Sequence, residues 1–183
     1  MTYSDYSTNV VNVNYRSRHD KSIDLKSVHS LLPNNSKLCL KPLQLVIRDE
    51  KGGTIIFFSN GKLRIMGCID ELEATFLAYK YIMMIDDDCD FQPVYSQTMT
   101  VRVVTNMRIN LSKFVHETSL AAAAPFLQYE PELFPAVLVK KFKPISVNVF
   151  SSGKIIMCGV RDIQQVHDIM QDLKASLEMC KLV

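Results

Sequence analysis

The sequence predicts an α+β protein made of two tandem, pseudo-symmetric repeats, each an antiparallel sheet with helices on one face. Two observations carry this. Residues 55–67 read Ile-Ile-Phe-Phe-Ser-Asn-Gly-Lys-Leu-Arg-Ile-Met-Gly, and residues 147–159 read Val-Asn-Val-Phe-Ser-Ser-Gly-Lys-Ile-Ile-Met-Cys-Gly. At an offset of 92 positions, Phe58, Ser59, Gly61, Lys62 and Gly67 meet Phe150, Ser151, Gly153, Lys154 and Gly159. Each copy is an apolar strand, a polar turn with glycine, and a second apolar strand, which is the pattern of a β-hairpin. The second observation is a run of helical period directly after each hairpin, opened in both copies by an acidic residue.

The remaining elements fall into the same order in each half. A strand opens each repeat, near residues 9–15 and 97–106. A short helix candidate comes next at Leu25–Leu32 and Leu111–Leu120, each with a Val-His pair (Val28-His29 and Val115-His116). Upstream of each hairpin lies a further strand, residues 43–47 and 136–139. After the second hairpin, Ile163, Val166, Met170, Leu173 and Leu177 mark an apolar helical stripe behind Asp162; after the first, Leu72, Phe76, Tyr79 and Met83 mark its counterpart behind Asp70 and Glu71. Residues 1–8 are expected to be a polar tail, 9–90 the first repeat and 91–183 the second. Fused, the halves are expected to make one curved sheet of about ten strands with an open concave face. A large open sheet face is costly unless it binds something, so a binding surface is expected.

Bulk properties narrow the class. With 48% hydrophobic and 22% charged residues the chain is an ordinary globular sequence, not a disordered one. A net charge of +2 permits nucleic-acid binding without announcing it. The five cysteines (Cys39, Cys68, Cys89, Cys158 and Cys180) are odd in number and form no Cys-x-x-Cys pair. Reduced thiols in an intracellular protein are expected, with no zinc site and no disulfide framework. No apolar run is long enough to span a membrane, and the polar first residues do not resemble a secretory signal. Catalytic chemistry is not suggested. Ser151-Ser152-Gly153-Lys154 lacks the spacing of a phosphate loop and leads into a strand. The Asp86–Asp90 run reads as a solvated linker, and His29 and His116, at matching repeat positions, read as packing. No metal, cofactor or nucleophile–base set is expected.

The heptapeptide Tyr129-Glu130-Pro131-Glu132-Leu133-Phe134-Pro135, the paired Ser/Asn-Gly-Lys turns and the duplicated element order together resemble the conserved core of the TATA-box-binding-protein family over residues 9–180. The heptapeptide is unaltered from the family. The resemblance implies a saddle whose concave sheet binds the DNA minor groove, wedges phenylalanines between base steps and kinks the duplex; the family is itself the reference case for this mode of binding.

Carried over residue by residue, the resemblance implies wedges at Phe134 and Phe150 in the second half. In the first half it implies Phe58, with its partner at Leu40 or Lys41 depending on where a gap falls; Leu40 is preferred, because that register sends Leu43, Leu45 and Ile47 to the core. Asn9 matches a central asparagine that bonds base edges, with Thr98 as its counterpart in the second half and Thr100 two residues on along the same face. Val11, Ile56, Ile156 and Cys158 match apolar floor contacts. Arg64, Met66 and Asn148 depart from the small floor residues expected, which puts strict TATA preference in question while leaving minor-groove binding. Lys62, Lys154, Ser152 and Lys140 match phosphate contacts at the rim. Glu130, Glu132 and Leu133, with Tyr129, lie on the loop gripped by the B-type general transcription factor. The acidic residues after the first long helix replace a basic surface that serves the A-type factor and repressors. The implied partners are T·A-rich double-stranded DNA, the B-type factor and RNA polymerase machinery, with self-association through the concave face in the absence of DNA. The implied location is the nucleus. The more divergent first half suits a viral or otherwise specialised version of the family.

Overall fold

The computed structural model of the chain describes residues 6–32, 35–68, 70–86, 91–118 and 126–182. Two compact units are present: one is Asn12–Thr98, the other Met99–Val183 together with the N-terminal residues up to Val11.

The unit Asn12–Thr98 holds most of β1 (Tyr6–Arg18), then α1 (Leu25–His29), β2 (Ser36–Leu40), β3 (Leu43–Arg48), β4 (Thr54–Phe58), β5 (Lys62–Cys68) and α2 (Glu71–Ile85). Its strands are antiparallel in the order β2-β3-β4-β5-β1. The unit from Met99 holds most of β6 (Tyr95–Thr105), then β7 (Arg108–Ile109), α3 (Leu111–Glu117), β8 (Leu127–Gln128), β9 (Ala136–Val139), β10 (Ser146–Phe150), β11 (Lys154–Val160), α4 (Ile163–Met179) and β12 (Lys181–Leu182). Its main sheet runs β6-β11-β10-β9-β8, and β12 pairs separately with β7. The expected α+β class, the ten sheet strands (five to each unit) and the repeated order of strand, short helix, strands and long helix are all present.

Strand alternation sorts each sheet into a covered and an open face. In the first unit Leu45, Ile47, Ile55, Phe57, Leu63 and Ile65 are buried, along with Ala74, Leu77, Ala78, Tyr81 and Ile82 of α2. In the second unit Val101, Val103, Val137, Val147, Val149, Ile155 and Met157 form one buried cluster with Phe114 of α3 and Val166, Met170, Leu173 and Leu177 of α4. Both long helices are capped as their sequences suggest. Asp70 accepts a hydrogen bond from the Glu73 amide at 2.8 Å, and Asp162 heads a capping box with Gln165.

Two expectations about packing are corrected. The stripe Leu72-Phe76-Tyr79 of α2 does not face the core: all three side chains are exposed. The helix is apolar nearly all round, so its periodicity does not choose a face. Contact with the sheet selects instead the side carrying the small residues Ala74 and Ala78, which let the backbone approach closely. The Val-His pairs are not equivalent either. The N-caps of the short helices are Asp24 and Asn110, 86 positions apart, so that Val28 matches buried Phe114 rather than Val115. His116 is exposed, and its side chain does not pack into the core.

Asp49, in the β3–β4 connection, ties that loop to α2. Its carboxylate accepts hydrogen bonds from Lys80 Nζ at 2.5 Å, Tyr81 Oη at 2.9 Å and the Lys51 amide at 3.0 Å. The Lys80 bond, outweighing the burial that opposes it, holds the Asp49 carboxyl below its ordinary value. A carboxyl with a lowered folded pKa stabilises the fold above its unfolded value of about 3.9, and that contribution is lost as pH falls through the lowered value. Asp49→Asn is therefore expected to flatten the acid limb of a urea-unfolding series between neutral pH and pH about 3. An acid limb identical to that of the wild type would show that Asp49 does not contribute.

Candidate nucleic-acid interface

The two hairpins that suggested duplication are built alike. The Gly61 amide donates to the Phe58 carbonyl at 3.0 Å, and the Gly153 amide to the Phe150 carbonyl at the same distance. Both glycines have positive φ, +78° and +79°. Each turn is then clasped by the strand that opens its repeat: His19 N donates to Gly61 O at 2.8 Å, and Thr105 N to Gly153 O at 3.1 Å. These turns carry Lys62, Ser152 and Lys154 outward, all three exposed.

In the second unit the register places Leu138, Asn148, Ile156 and Arg102 in one row across the open face, with Ala136 beside Phe150. Phe134 precedes Ala136 by two residues and so shares its face. The rings of Phe134 and Phe150 meet edge to face at 5.9 Å between centroids. Alanine at 136 leaves room for this contact, and Phe134 remains 46% exposed. Two aromatic rings are thus held side by side at the end of an open sheet, the arrangement a base-step wedge requires. Cys158 and Thr100 are register partners on the same face. Asn9 and Val11, in the N-terminal part of this unit, are exposed.

The loop between β8 and β9 is a compact turn. The amides of Leu133 and Phe134 both donate to the Glu130 carbonyl at 2.9 Å, which leaves Leu133 80% exposed at the tip while Phe134 turns back toward the sheet. Glu130 and Glu132 are exposed; Tyr129 packs against the second unit's core and holds the base of the loop. Lys140 Nζ donates to Gln128 Oε1 at 2.6 Å, and Gln128 Nε2 donates to Glu130 Oε1 at 2.7 Å. The lysine therefore braces the loop as well as sitting at the sheet edge.

In the first unit, Phe58 pairs in register with Gln44, and Ile56 with both Val46 and Arg64. Ile56 is nearly buried between them, whereas Arg64 is exposed and Met66 half-buried. Thr98, also in this unit, accepts a hydrogen bond from Asn14 Nδ2 at 3.2 Å. Leu40 is the exception. It pairs with Leu43 across the Lys41-Pro42 turn, while Leu38 pairs with buried Leu45. Leu40 thus lies on the parity of the covered face, opposite to Phe58. Counting back from the register, Gln44 to Phe58 corresponds to Ala136 to Phe150, so the place of Phe134 is taken by Pro42. Leu43 is exposed although it shares a face with buried Leu45 and Ile47, because it lies at the strand end.

Further residues, not singled out by their sequence pattern, also occupy these faces. Arg16 and Arg18 lie on β1 opposite Arg64 and Lys62, and Arg102 lies opposite Ile156. The alternation in Tyr15-Arg16-Ser17-Arg18 was the available signal. The strand was expected to end at Tyr15, but pairing with β5 carries it on to Arg18. Of the cysteines, Cys68 and Cys180 are buried, and burial pushes the Cys68 thiol up to about 11. Residues 87–90, which include Cys89 and most of the acidic run, lie outside the described residues. Asp86 itself pairs with Lys21 at 2.9 Å. Among the described residues no group of histidine, cysteine or carboxylate side chains is placed to hold a metal ion.

Comparison with known proteins agrees with this geometry. Residues 95–180 match the family model described as transcription factor TFIID, or TATA-binding protein. A TATA-box-binding protein of Candida albicans is 29% identical over 164 residues, covering 84% of this chain and 65% of the relative. A TATA box-binding protein-like 2 of Rattus norvegicus is 28% identical over 167 residues, covering 88% of this chain and 47% of the relative. The chain therefore spans roughly half to two thirds of the length of these two relatives. The solved structure of the Methanococcus jannaschii TBP superposes with a TM-score of 0.76 at 22% identity, over 94% of this chain and 99% of that one, and shows the same fold. With the duplicated units, these matches show that residues 95–180 resemble the TATA-binding-protein family model and that the chain as a whole is similar in sequence and fold to TATA-box-binding proteins.

Proposed function

We propose that the chain is a transcription initiation factor of the nucleus that binds T·A-rich duplex DNA in the minor groove and recruits a B-type general transcription factor, and through it RNA polymerase. The Phe134–Phe150 ring pair carries this reading: two partly exposed aromatics in contact at the end of an open sheet face serve no packing need that one of them could not meet. Ile156, Cys158 and Thr100 supply a mixed apolar floor beside it, and Lys154 and Ser152 supply phosphate contacts at the turn. The exposed tip Glu130–Leu133 presents two carboxylates around one apolar side chain, a small surface suited to a basic, apolar-pocketed partner.

The test is a band-shift with a T·A-rich duplex, with and without a B-type factor. Wild-type protein is expected to retard the duplex alone. Adding Leu133→Asp and Glu132→Lys should leave that shift intact and remove the supershift by the B-type factor. A supershift that survives both changes would remove the loop from the reading. One observation favours a second function: the first unit has Pro42 where a wedge would stand, and Arg64 on its floor. A protein that binds the B-type factor but retards no duplex would instead be an interaction module that titrates transcription factors.

A further inference from the structure

On the open face of the unit Asn12–Thr98, Arg16 is the register partner of Arg64, and Arg18 of Lys62. Four cations thus occupy a two-by-two block on adjacent strands. Together with Phe58 and Tyr95 they line a cavity of about 420 Å³. Like charges directly opposite one another on paired strands destabilise a sheet. Among the described residues, none of the four has a carboxylate within ion-pair distance.

The other repeat shows that the fold does not need this block. Its four equivalent positions are Arg102, Val104, Lys154 and Ile156, paired in the same register, and carry two cations instead of four. The same unit that concentrates charge also lacks the second aromatic ring, since Pro42 stands in its place. Within this chain, charge is denser in the repeat that has the single ring.

We propose that this block grips the backbone phosphates of the duplex, so that the first repeat binds DNA by charge and tolerates sequence while the second repeat binds by wedging. This rests on the DNA-binding reading above. Each phosphate neutralised releases condensed counterions, and the dependence of log affinity on log salt steepens by about 0.9 per contact. Arg16→Gln combined with Arg18→Gln removes two contacts without touching either wedge. By relieving the opposed charges it should leave the thermal midpoint unchanged or higher. Arg18→Gln alone serves if the double variant does not fold.

The experiment measures fluorescence anisotropy of a labelled T·A-rich duplex across a salt series, with wild-type protein, the arginine variants and Phe134→Ala/Phe150→Ala. The double arginine variant is expected to lower the magnitude of the salt slope by about 2, and the single variant by about 1. An unchanged slope in the arginine variants, with binding lost in the phenylalanine variant, overturns the inference and leaves the proposed function standing. A lowered slope in the arginine variants, with full affinity and bending in the phenylalanine variant, upholds the inference and removes the wedge. Wild-type protein that binds no duplex at low salt overturns both.

Discussion

Alanine at both Phe134 and Phe150 is expected to abolish bending of a T·A-rich duplex and to weaken binding between about 30-fold and 10⁴-fold. The range comes from stacking: an aromatic side chain against a base contributes about 1–3 kcal/mol by alanine substitution, and about 1.4 kcal/mol is tenfold in affinity. Bending should fail more completely than binding, because the phosphate contacts proposed for Lys154, Ser152 and the first repeat would survive the change, whereas unstacking a base step needs a large apolar side chain to fill the gap. Stability should hardly move. Phe134 is already 46% exposed, so most of its transfer energy was never realised, and the edge-to-face contact at 5.9 Å is of a kind that contributes about 0.5–1.5 kcal/mol. Phe58→Ala provides the internal comparison. Without a second ring at position 42, Phe58 has no partner to hold it against a base step, and its loss should cost less than that of either ring in the second repeat. Fluorescence energy transfer between dyes at the duplex ends reports the bend directly. Equal transfer efficiency for wild-type and double-variant complexes would show that these rings do not wedge.

Which parts of this site could be read from the sequence depended on how local the determining physics is. The hairpins were legible because a two-strand turn needs glycine at one place, and Gly61 and Gly153 recur 92 positions apart with nearly identical φ. The helix α4 was legible because its stripe from Val166 to Leu177 contrasts with polar residues all round it. The helix α2 was not, because apolar residues cover most of its circumference and only the sheet beneath decides which of them are buried. Register is less local still. Whether Leu40 or Pro42 answers to Phe134 turns on a slip of two residues across a tight turn, and pairing with β4 settles it through Gln44. The same reason hid Arg16 and Arg18: β1 continues past Tyr15 only because β5 offers partners as far as Lys62. The Glu130–Leu133 tip is local, since its turn closes within five residues on the Glu130 carbonyl, whereas the contact of Phe134 with Phe150 depends on the pairing of β9 with β10.

Gly153→Ala is expected to lower the unfolding midpoint by on the order of 10 °C and to weaken DNA binding with it. Two costs add. The residue sits at φ +79°, a left-handed conformation that costs a side-chain-bearing residue about 1–2 kcal/mol. A Cβ there would also be driven into the carbonyl oxygen of Met107, which is backbone, and would lie 2.6 Å from the Thr105 hydroxyl. Neither atom belongs to a flexible side-chain end, so the turn itself must move, an overpacking cost of about 1–3 kcal/mol. Gly52 separates these two contributions. Its φ of +105° is also left-handed, but a Cβ there meets nothing within 4 Å. Gly52→Ala should therefore cost the conformational part alone. If the two variants melt together, the clash contributes nothing and the close approach of the β6 end to the turn is not what holds it. The functional consequence comes from position. Thr105 binds the Gly153 carbonyl through both its amide, at 3.1 Å, and its hydroxyl, at 2.9 Å. Pushing the turn away from Thr105 breaks that clasp and moves Ser152 and Lys154, and with them the strand end that carries Phe150. Gly153 thereby sets where the proposed wedge Phe150 and the proposed phosphate contacts Ser152 and Lys154 stand, and under the proposed function its substitution should reduce affinity even below the melting transition.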